Sequence, residues 1–424
     1  MKILLRKINV ISPGSTHHLH VKDILIEGEK IISIEAPGSI SVDGVEIING
    51  EKLFVSPGWF DLHVNFSEPG QEYKEDIESG CQAAMQGGFT GVLVMPSTEP
   101  PVSNRPAVEY ILQRSAKSLV SVYVAGALSN NLEGKDLSEM YDMYLAGSRV
   151  FTDDKAAVQD SGLMTRALLY SRNFGGRIFS FAEDKHIAGK GQVNEGVNAT
   201  QLGLKGIPGT AEEVMINRDL LLAEYTESPI HFSTISTRKS VDLIRKAKAK
   251  GMKVTADVSA IHLIHDDSSL HGFDSLFKLK PPLRASSDRE ALLEGLSDGT
   301  IDCITSDHTP QNPENKMKEF ELAAYGVSGL ETAFAAARTA TKNKLSLPEL
   351  VSRFSSYPRM CSGLKPGMIE VNHTADLTIF DADKEWKVEM EHIVSKSKNN
   401  PFIGAKLTGK AIAVVNGGKI IYCK

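Results

Sequence analysis

Eight apolar segments rich in β-forming residues alternate with amphipathic segments along most of the sequence, and this alternation limits the possible folds more than any other feature. The apolar segments lie at about 57–64, 90–95, 121–126, 148–152, 177–182, 229–234, 252–257 and 301–306. The clearest amphipathic segments between them lie at about 137–146, 212–225, 241–248 and 289–296. Strands that alternate with helices predict a parallel sheet covered by helices, and eight such strands close into a (β/α)8 barrel of the TIM type. The active site of such a barrel lies at the carboxyl ends of its strands.

Both ends of the sequence have a different pattern, with short alternating strands that are broken by glycines. We therefore predict a small β-sandwich built from both chain termini, residues 1–55 plus 366–424, beside a barrel of residues 56–365. Residues 183–209 show no clear periodicity. A long segment of this kind is expected to be a functional loop over the barrel mouth, the opening at the carboxyl ends of the strands.

The composition excludes several classes of protein. With 424 residues, of which 41% are hydrophobic, the chain can bury a large core. Its net charge of -6 gives no broad basic field, which argues against nucleic acid as a partner. No apolar run approaches the roughly 20 residues that span a bilayer, and charges near the start do not fit a signal peptide, so we expect a cytoplasmic protein without a membrane role. The four cysteines have no paired spacing and are expected to be free thiols.

The first barrel strand ends in a pattern that is typical of a metal hydrolase with one ligand replaced. Residues 57–70 read PGWFDLHVNFSEPG. Residues two apart in a strand point to the same side, so His63 and Asn65 are both expected to face the barrel interior. A metal hydrolase would have histidine at both positions. The amide oxygen of Asn65 is a poor zinc ligand compared with imidazole.

The residues around this pattern, together with eight later segments, resemble the dihydroorotases of the amidohydrolase superfamily, specifically the type found beside aspartate carbamoyltransferase. The later segments are 71–80, 87–90, 95–96, 151–154, 194–196, 281–284, 306–310 and 329–332. The resemblance covers nearly the whole chain. It implies a barrel with a sandwich made from the termini, zinc at the carboxyl ends of the strands, and hydrolysis of a cyclic amide in pyrimidine biosynthesis.

The resemblance also implies six metal ligands, and this chain keeps a suitable side chain at only three of those positions. The retained ligands would be His63, Asp153 (with Asp154 as its alternative in register) and Asp307, whereas the other positions hold Asn65, Phe181 and Thr234. Phenylalanine cannot bind a metal, so a two-metal centre is not expected. The alternatives are a site without any cofactor and a weakened site for one zinc ion at His63, Asp153 and Asp307, with help from the Asn65 carbonyl.

The substrate contacts implied by the resemblance are also replaced. Ser67 stands where the family has an arginine for the substrate carboxylate, so a charged hydrogen bond worth about 1.5–3 kcal/mol is lost. Ser97 and Lys280 stand where the family has asparagines. Asp307 and His308 are retained, and the resemblance implies that they are the catalytic base and a substrate contact.

Two functions therefore remain open. In the first, the chain is a dihydroorotase-like protein that is catalytically inactive or very weak and serves as a structural or regulatory partner of aspartate carbamoyltransferase. In the second, it is an active cyclic amidohydrolase that acts on dihydroorotate or another cyclic amide with a single metal. A homo-oligomer is also expected.

Without a metal, three carboxylates would crowd the barrel mouth, namely those of Asp61, Asp153 and Asp307. Their repulsion would raise the pKa of at least one of them. We expect relief from water, from Lys155 or Lys280, or from outward rotation of Asp154, because several unpaired buried charges are strongly unfavourable. In a purely structural interpretation, the carboxylates of Asp61 and Asp307 form hydrogen bonds at the barrel rim, His308 satisfies backbone carbonyls there, and none of the three has another role.

Overall fold

The N-terminal part of the chain forms strands of a terminal sheet. The computed structural model describes residues 2–424. Its first five strands are β1 (Lys2–Val10), β2 (Val21–Glu27), β3 (Lys30–Glu35), β4 (Glu46–Asn49) and β5 (Phe54–Pro57). β1 lies in the middle of this group, because it pairs antiparallel with β2 and parallel with β4 and β5.

The next ten strands contain the barrel. They are β6 (Trp59–Val64), β7 (Phe89–Val94), β8 (Ser121–Val124), β9 (Val150–Phe151), β10 (Arg177–Phe181), β11 (Val193–Asn194), β12 (Gly206–Ile207), β13 (Ile230–Ser233), β14 (Val254–Ser259) and β15 (Cys303–Thr305). All of them except β11 and β12 form two groups of parallel strands. Two single β-bridges join these groups, one between Gly126 and Phe151 and one between Val64 and His308. The predicted (β/α)8 barrel is thereby confirmed, and its carboxyl strand ends face one opening.

Helices follow most of the barrel strands. They are α1 (Ile77–Gln86), α2 (Arg105–Ser115), α3 (Met140–Leu145), α4 (Ser161–Arg172), α5 (Lys185–Ala188), α6 (Val197–Leu202), α7 (Thr210–Thr226), α8 (Arg238–Ala249), α9 (Ala260–Ile264), α10 (Ser286–Ser297), α11 (Pro313–Lys316), α12 (Ala333–Thr341), α13 (Leu347–Phe354) and α14 (Ser356–Cys361). Local sequence fixes several starts. At α1, for example, the Asp76 carboxylate accepts from the Ser79 backbone N–H at 2.8 Å, which satisfies a donor that the first helical turn leaves free.

The C-terminal part of the chain completes the terminal sheet with three strands, β16 (Leu377–Lys387), β17 (Lys406–Asn416) and β18 (Lys419–Tyr422). β16 pairs antiparallel with β5, so that Leu377 lies opposite Pro57. One eight-stranded sheet therefore contains strands from both termini. Buried aliphatic side chains from both ends of the chain, such as Ile3, Ile24 and Ile379, form its core. The expectation that the two termini pair with each other is correct.

The segment 183–209 is more ordered than its sequence suggests, since it contains α5, the two short strands β11 and β12, and α6. The buried guanidinium of Arg284 explains this order. It donates to the Asn194 side chain at 3.1 Å and to the Ile207 backbone carbonyl at 2.7 Å, and so holds both short strands. No helix within residues 2–424 has both the length and the apolar character needed to cross a bilayer.

Candidate functional site

The centre of the barrel mouth is a buried group of one imidazole and two carboxylates. His63, on β6, places its Nε2 atom 2.8 Å from Oδ1 of Asp154 and 3.7 Å from Oδ1 of Asp307. Asp154 and Asp307 lie just beyond β9 and β15, each with a left-handed backbone (φ of 50° and 51°). This uncommon conformation turns the chain at both strand ends. The strand ends thus bring together two of the predicted ligands and one residue that was only an alternative.

Asp153, the ligand preferred from sequence, does not belong to this group. Its carboxylate accepts hydrogen bonds from the Ser129 backbone N–H at 2.8 Å and from the Ser129 hydroxyl. Asp154 occupies the inward position instead, where the Ser97 hydroxyl donates to it at 2.5 Å and the Asn65 amide at 3.4 Å. The register is corrected by one residue because Asp153 is drawn towards the chain that follows β8.

A lysine ammonium lies beside the group. Nζ of Lys155 is 2.9 Å from Oδ1 of Asp307 and donates to the Thr234 hydroxyl at 3.0 Å. It also lies 5.0 Å from the centre of the Phe181 ring, a distance at which a cation is attracted to an aromatic face. The positive charge therefore contacts Phe181 and Thr234, two of the three side chains that replace metal ligands of the family.

These residues do not fit a zinc centre of the kind that the resemblance implies. Phe181 offers no donor atom, and the Thr234 hydroxyl is already bound to Lys155. Nε2 of His63 and the Oδ1 atoms of Asp154 and Asp307 lack well-directed hydrogen bonds, so there is room for a cation beside them. The Lys155 ammonium already supplies a positive charge at this place. Within residues 2–424, no set of three or more His, Cys, Asp or Glu side chains has the arrangement of a metal site.

A cavity of about 330 Å³ opens above this group, and we call it the mouth cavity. Its walls include Ser67, Ser97 and Lys280, three of the four residues at which the resemblance places substrate contacts. Nζ of Lys280 lies 2.8 Å from the Glu183 carboxylate. Of the two lysines proposed to neutralise the mouth, Lys155 therefore contacts the central carboxylates, whereas Lys280 is paired at the cavity wall.

His308, the other predicted substrate contact, does not reach the mouth cavity. It is fully buried; its Nδ1 accepts from the Gly329 backbone N–H at 3.2 Å, and its Nε2 faces Glu75 at 3.5 Å. Asp61 is also fully buried. It accepts from the Thr305 hydroxyl at 2.6 Å and from the His63 backbone N–H at 2.9 Å, and so ties β6 to β15. For these two residues the geometry favours the structural interpretation.

The charges in the mouth shift the pKa values of two of its residues in opposite directions. Burial opposes ionisation of Asp154, but His63, Lys155 and the Ser97 hydroxyl outweigh it and lower the pKa of Asp154 to about 2. Burial and the charge of Lys155 oppose protonation of His63, but the two carboxylates raise its pKa. The arrangement is that of a buried ion pair.

Asp153 and Asp61 are carboxylates of the mouth region whose pKa is raised by burial. Burial raises the pKa of Asp153 to about 6, although the hydrogen bonds from Ser129 oppose the shift. We expected repulsion between carboxylates to have this effect. The structure instead makes burial the main cause, with the nearby charge of Asp154 the smallest contribution.

Sequence reasoning named Lys155 only as one of two possible counter-charges, and it did not identify Glu183 as the partner of Lys280. A signal for Lys155 does exist, because a lysine that directly follows two acidic residues at a strand end can return to neutralise them. Thr309 was also overlooked. It lines the mouth cavity and lies 3.4 Å from the Asn65 amide.

Comparisons with known proteins agree with the geometry of the fold. A family model described as dihydro-orotase-like matches residues 51–240. A dihydroorotase from Ruminiclostridium cellulolyticum is 43% identical over 422 residues, which cover 99% of this chain and 98% of that protein. A dihydroorotase from Syntrophotalea carbinolica is 41% identical, over 100% of this chain and 99% of that protein.

Solved structures with the same fold include two enzymes with other names. The L-hydantoinase (dihydropyrimidinase) from Arthrobacter aurescens superimposes with a TM-score of 0.86 at 25% identity, over 99% of this chain and 96% of that one. The dihydropyrimidinase from Brevibacillus agri superimposes with a TM-score of 0.84 at 21% identity, over 100% of this chain and 95% of that one. The second likeness concerns the fold alone.

Proposed function

The chain belongs to the dihydroorotase family, and from this premise we propose that it is a cytoplasmic, dihydroorotase-like protein of pyrimidine biosynthesis that is catalytically inactive or very weak. We further propose that it is a homo-oligomer that serves as a structural or regulatory partner of aspartate carbamoyltransferase. The observation that carries the proposal is the position of Lys155. Its ammonium neutralises Asp307 at 2.9 Å and contacts the residues that replace two metal ligands.

The chemistry of amide hydrolysis explains why this observation matters. Hydrolysis of a cyclic amide at neutral pH needs an activated water, polarisation of the carbonyl and a group that moves a proton to the leaving nitrogen. In this family a metal supplies the first two. Asp307 would have to take up the proton, but its carboxylate is already paired with the Lys155 ammonium at 2.9 Å.

The position where the family binds the substrate carboxylate carries no cation in this chain, although Lys74, which bonds to the Gln71 amide oxygen at 2.7 Å, lies elsewhere in the cavity wall. Ser67 at that position carries no charge, and Lys280 is paired with Glu183. Truncating such a charged hydrogen bond costs about 1.5–3 kcal/mol, which corresponds to a loss of roughly tenfold to more than a hundredfold in affinity. The missing charge at position 67 and the replaced metal ligands at positions 181 and 234 both support the proposal of low activity.

A second candidate function is that of an active amidohydrolase with one metal ion. Two observations favour it. Nε2 of His63 and the Oδ1 atoms of Asp154 and Asp307 converge without well-directed hydrogen bonds, and relatives about 40% identical over the full length are named dihydroorotase. In this alternative Lys155 would have to leave Asp307.

Replacing Lys155 separates the two candidates. We expect the wild-type protein to bind zinc weakly and Lys155→Met to bind it at least about tenfold more tightly, because the three donors would then lack their counter-charge. Lys280→Met is the matched control, since it removes a lysine from the same cavity and should leave zinc affinity unchanged. Calorimetry with zinc measures all three proteins, and circular dichroism checks that each is folded.

Turnover of dihydroorotate provides the second measurement. We expect no hydrolysis by the wild-type protein in the presence of added zinc. A rate in the ordinary enzymatic range of about 1–10³ per second would establish the active alternative instead. Loss of that rate in both His63→Ala and Asp307→Asn would then assign it to the mouth.

The proposed partnership has its own test. The full-length protein would be mixed with the aspartate carbamoyltransferase of the same organism and examined by sedimentation velocity. We expect one faster-sedimenting complex and a change in the kinetics of the transferase. Two independently sedimenting species with unchanged kinetics would contradict the partnership, whatever the outcome of the zinc and turnover measurements.

A further inference from the structure

A second cavity lies at the opposite end of the barrel from the mouth, at the amino-terminal ends of the strands. It measures about 370 Å³, and we call it the base cavity. Its walls come from the first residues of β10, β13 and β14 and from α14. His231 and Cys361 both line it, and neither takes part in the arrangement at the mouth.

Two thiols meet beside this cavity. Sγ of Cys361, the last residue of α14, lies 3.6 Å from Sγ of Cys303, the first residue of β15. Cys303 is fully buried, whereas Cys361 is partly exposed and lines the cavity. A disulfide requires the sulfur atoms to approach to about 2.0 Å, and because Cys361 is the last residue of a six-residue helix, only the end of that helix would have to shift. The sequence separation of 58 residues had hidden this pair.

A histidine–aspartate pair stabilises negative charge on one of these thiols. Nε2 of His231 lies 2.8 Å from Oδ2 of Asp257, and its Nδ1 lies 2.8 Å from the Thr255 hydroxyl. Burial opposes protonation, but the bond to Asp257 and the neighbouring Cys361 raise the pKa of His231 to about 9, so the ring is an imidazolium at neutral pH. The hydrogen bond from Cys303 and the imidazolium lower the pKa of the Cys361 thiol against the effect of burial.

The other charges around the thiols do not cancel this effect. Arg177 and Lys253 also line the base cavity. Asp302 is the acidic side chain in its wall, and it is paired with Lys248 at 2.7 Å. The cavity is therefore a basic surround for a partly exposed thiol, which is the environment of reactive rather than inert cysteines.

We propose that Cys361 is an oxidation site for hydroperoxides that enter the base cavity, and that Cys303 resolves the oxidised residue as an intramolecular disulfide. The Cys361 thiolate attacks the distal oxygen of the hydroperoxide, the O–O bond breaks, and the products are a sulfenic acid and an alkoxide that takes a proton from water. The Cys303 thiol then attacks the Cys361 sulfur, an S–S bond forms and the S–O bond breaks. The departing hydroxide takes the proton of the Cys303 thiol and leaves as water. The two electrons pass from the two thiols to the hydroperoxide.

Cys423 provides a matched control within the same chain. It is also partly exposed, but its Sγ donates to the Met85 carbonyl at 3.3 Å, and burial raises its pKa to about 12. No basic side chain forms a hydrogen bond with it in the described residues. Comparison of Cys361 with Cys423 therefore separates thiolate stabilisation from simple exposure.

The test uses the reduced full-length protein and hydrogen peroxide at a small molar excess, with peptide mass mapping of each cysteine. We expect a cross-linked peptide containing Cys303 and Cys361 to form at least about tenfold faster than Cys423 gains oxygen. In Cys303→Ser, Cys361 should stop at the sulfenic acid, which dimedone captures. In Cys361→Ser the cross-link and the dimedone adduct should both be absent, and Cys423→Ser should behave like the wild type.

A slower reaction is expected when the imidazolium is removed. His231→Gln should reduce the rate of cross-linking by at least about tenfold. A buried histidine can also support the fold, so a second measurement separates the two roles. Disulfide formation by the oxidant diamide is followed at alkaline pH in His231→Gln and in the wild type. At that pH the thiolate forms without the imidazolium, so the rates of the two proteins should converge. Equal oxidation of Cys361 and Cys423 in the wild type, or oxygen gain at Cys361 without any cross-link, would overturn the proposal.

Discussion

At the scale of single residues, the mouth depends on which of two adjacent aspartates turns inward. Asp153 and Asp154 have opposite environments, although they are neighbours in the chain. Asp153 is held by Ser129 and has its pKa raised by burial to about 6, whereas Asp154 faces His63 and has its pKa lowered to about 2. Ionisation of Asp154 therefore stabilises the folded protein, whereas ionisation of Asp153 destabilises it.

Replacing Asp153 should show, through the pH dependence of stability, that ionisation of this carboxyl destabilises the protein. The carboxyl of an unfolded chain ionises near pH 3.9. Between that value and about 6 the native protein binds more protons at Asp153 than the unfolded chain does, so the wild-type protein loses stability as the pH rises. Asp153→Asn does not titrate, and relative to wild type it should gain about 2 kcal/mol between pH 4.5 and 7. Urea unfolding at a series of pH values measures the difference.

Asp154→Asn is the control, because the pKa of Asp154 is shifted in the opposite direction from that of Asp153. The pKa of Asp154 is lowered to about 2, so the stability that its ionised form contributes is present above about pH 4 and is lost as the pH falls towards 2. Because Asp154 also raises the pKa of His63, this comparison is made in a His63→Gln background, where the stability difference caused by Asp154→Asn should be constant between pH 5 and 7. A constant difference for Asp153→Asn over the same range would show that burial does not penalise its charge.

The residue types of the mouth could be predicted from the sequence, but their register and pairing could not. The replacements at positions 65, 181 and 234 are visible in the sequence because the flanking segments fix the alignment to the family. The inward position of Asp154 depends on a backbone φ of 50°, which nothing in the sequence at that position requires. The position of Lys155 depends on that same turn.

At the scale of elements, periodicity predicted the barrel strands well, and each strand end lies within about two residues of its expected position. Buried strands and amphipathic helices have strong local patterns. The segment 183–209 lacks such a pattern because its short strands are held by one distant side chain. Arg284 lies more than seventy residues further along the chain, and its bonds to Asn194 and Ile207 supply the order that local sequence does not.

Arg284→Lys should therefore loosen this segment selectively. Lysine keeps the charge but cannot reach the Ser236 hydroxyl, Asn194 and Ile207 together, as the guanidinium does. We expect faster amide hydrogen exchange across β11 and β12 and a loss of about 3–5 kcal/mol in the free energy of unfolding, the usual cost of breaking a buried charged network. Exchange followed by mass spectrometry localises the change.

Arg289→Lys serves as the comparison for this variant. Arg289 lies on α10 and is partly exposed, and its guanidinium bonds to the Ile264 carbonyl and to Asp266. Its replacement should cost less than about 1 kcal/mol and leave exchange in β11 and β12 unchanged. If Arg284→Lys and Arg289→Lys gave the same exchange pattern, then Arg284 would not be the residue that orders the segment.

At the scale of the whole molecule, the terminal sheet and the barrel share one core at the start of β6. Trp59 is fully buried, and its ring centre lies 4.2 Å from that of Phe334 on α12 and 5.2 Å from that of Phe380 on β16. Arg359 on α14 adds a polar link, since it donates to Asp376 at 2.7 Å. The sequence predicted that the termini would pair, but it gave no sign of this aromatic junction.

The shared core predicts that the two parts unfold together. Phe380→Ala removes a fully buried aromatic side chain from the sheet side of the junction and should cost about 3–5 kcal/mol. The change is made in a Trp386→Phe background, so that Trp59 is the sole tryptophan, and urea unfolding is followed by fluorescence and by far-UV circular dichroism. Both signals should shift together to lower urea concentration, because the sheet and the barrel lose the same contacts.

Phe273→Ala, at a half-exposed phenylalanine, is the control. It should change the free energy of unfolding measured by either signal by no more than about 0.5 kcal/mol. A circular dichroism transition that separates from the Trp59 transition would mean that the sheet unfolds independently of the barrel.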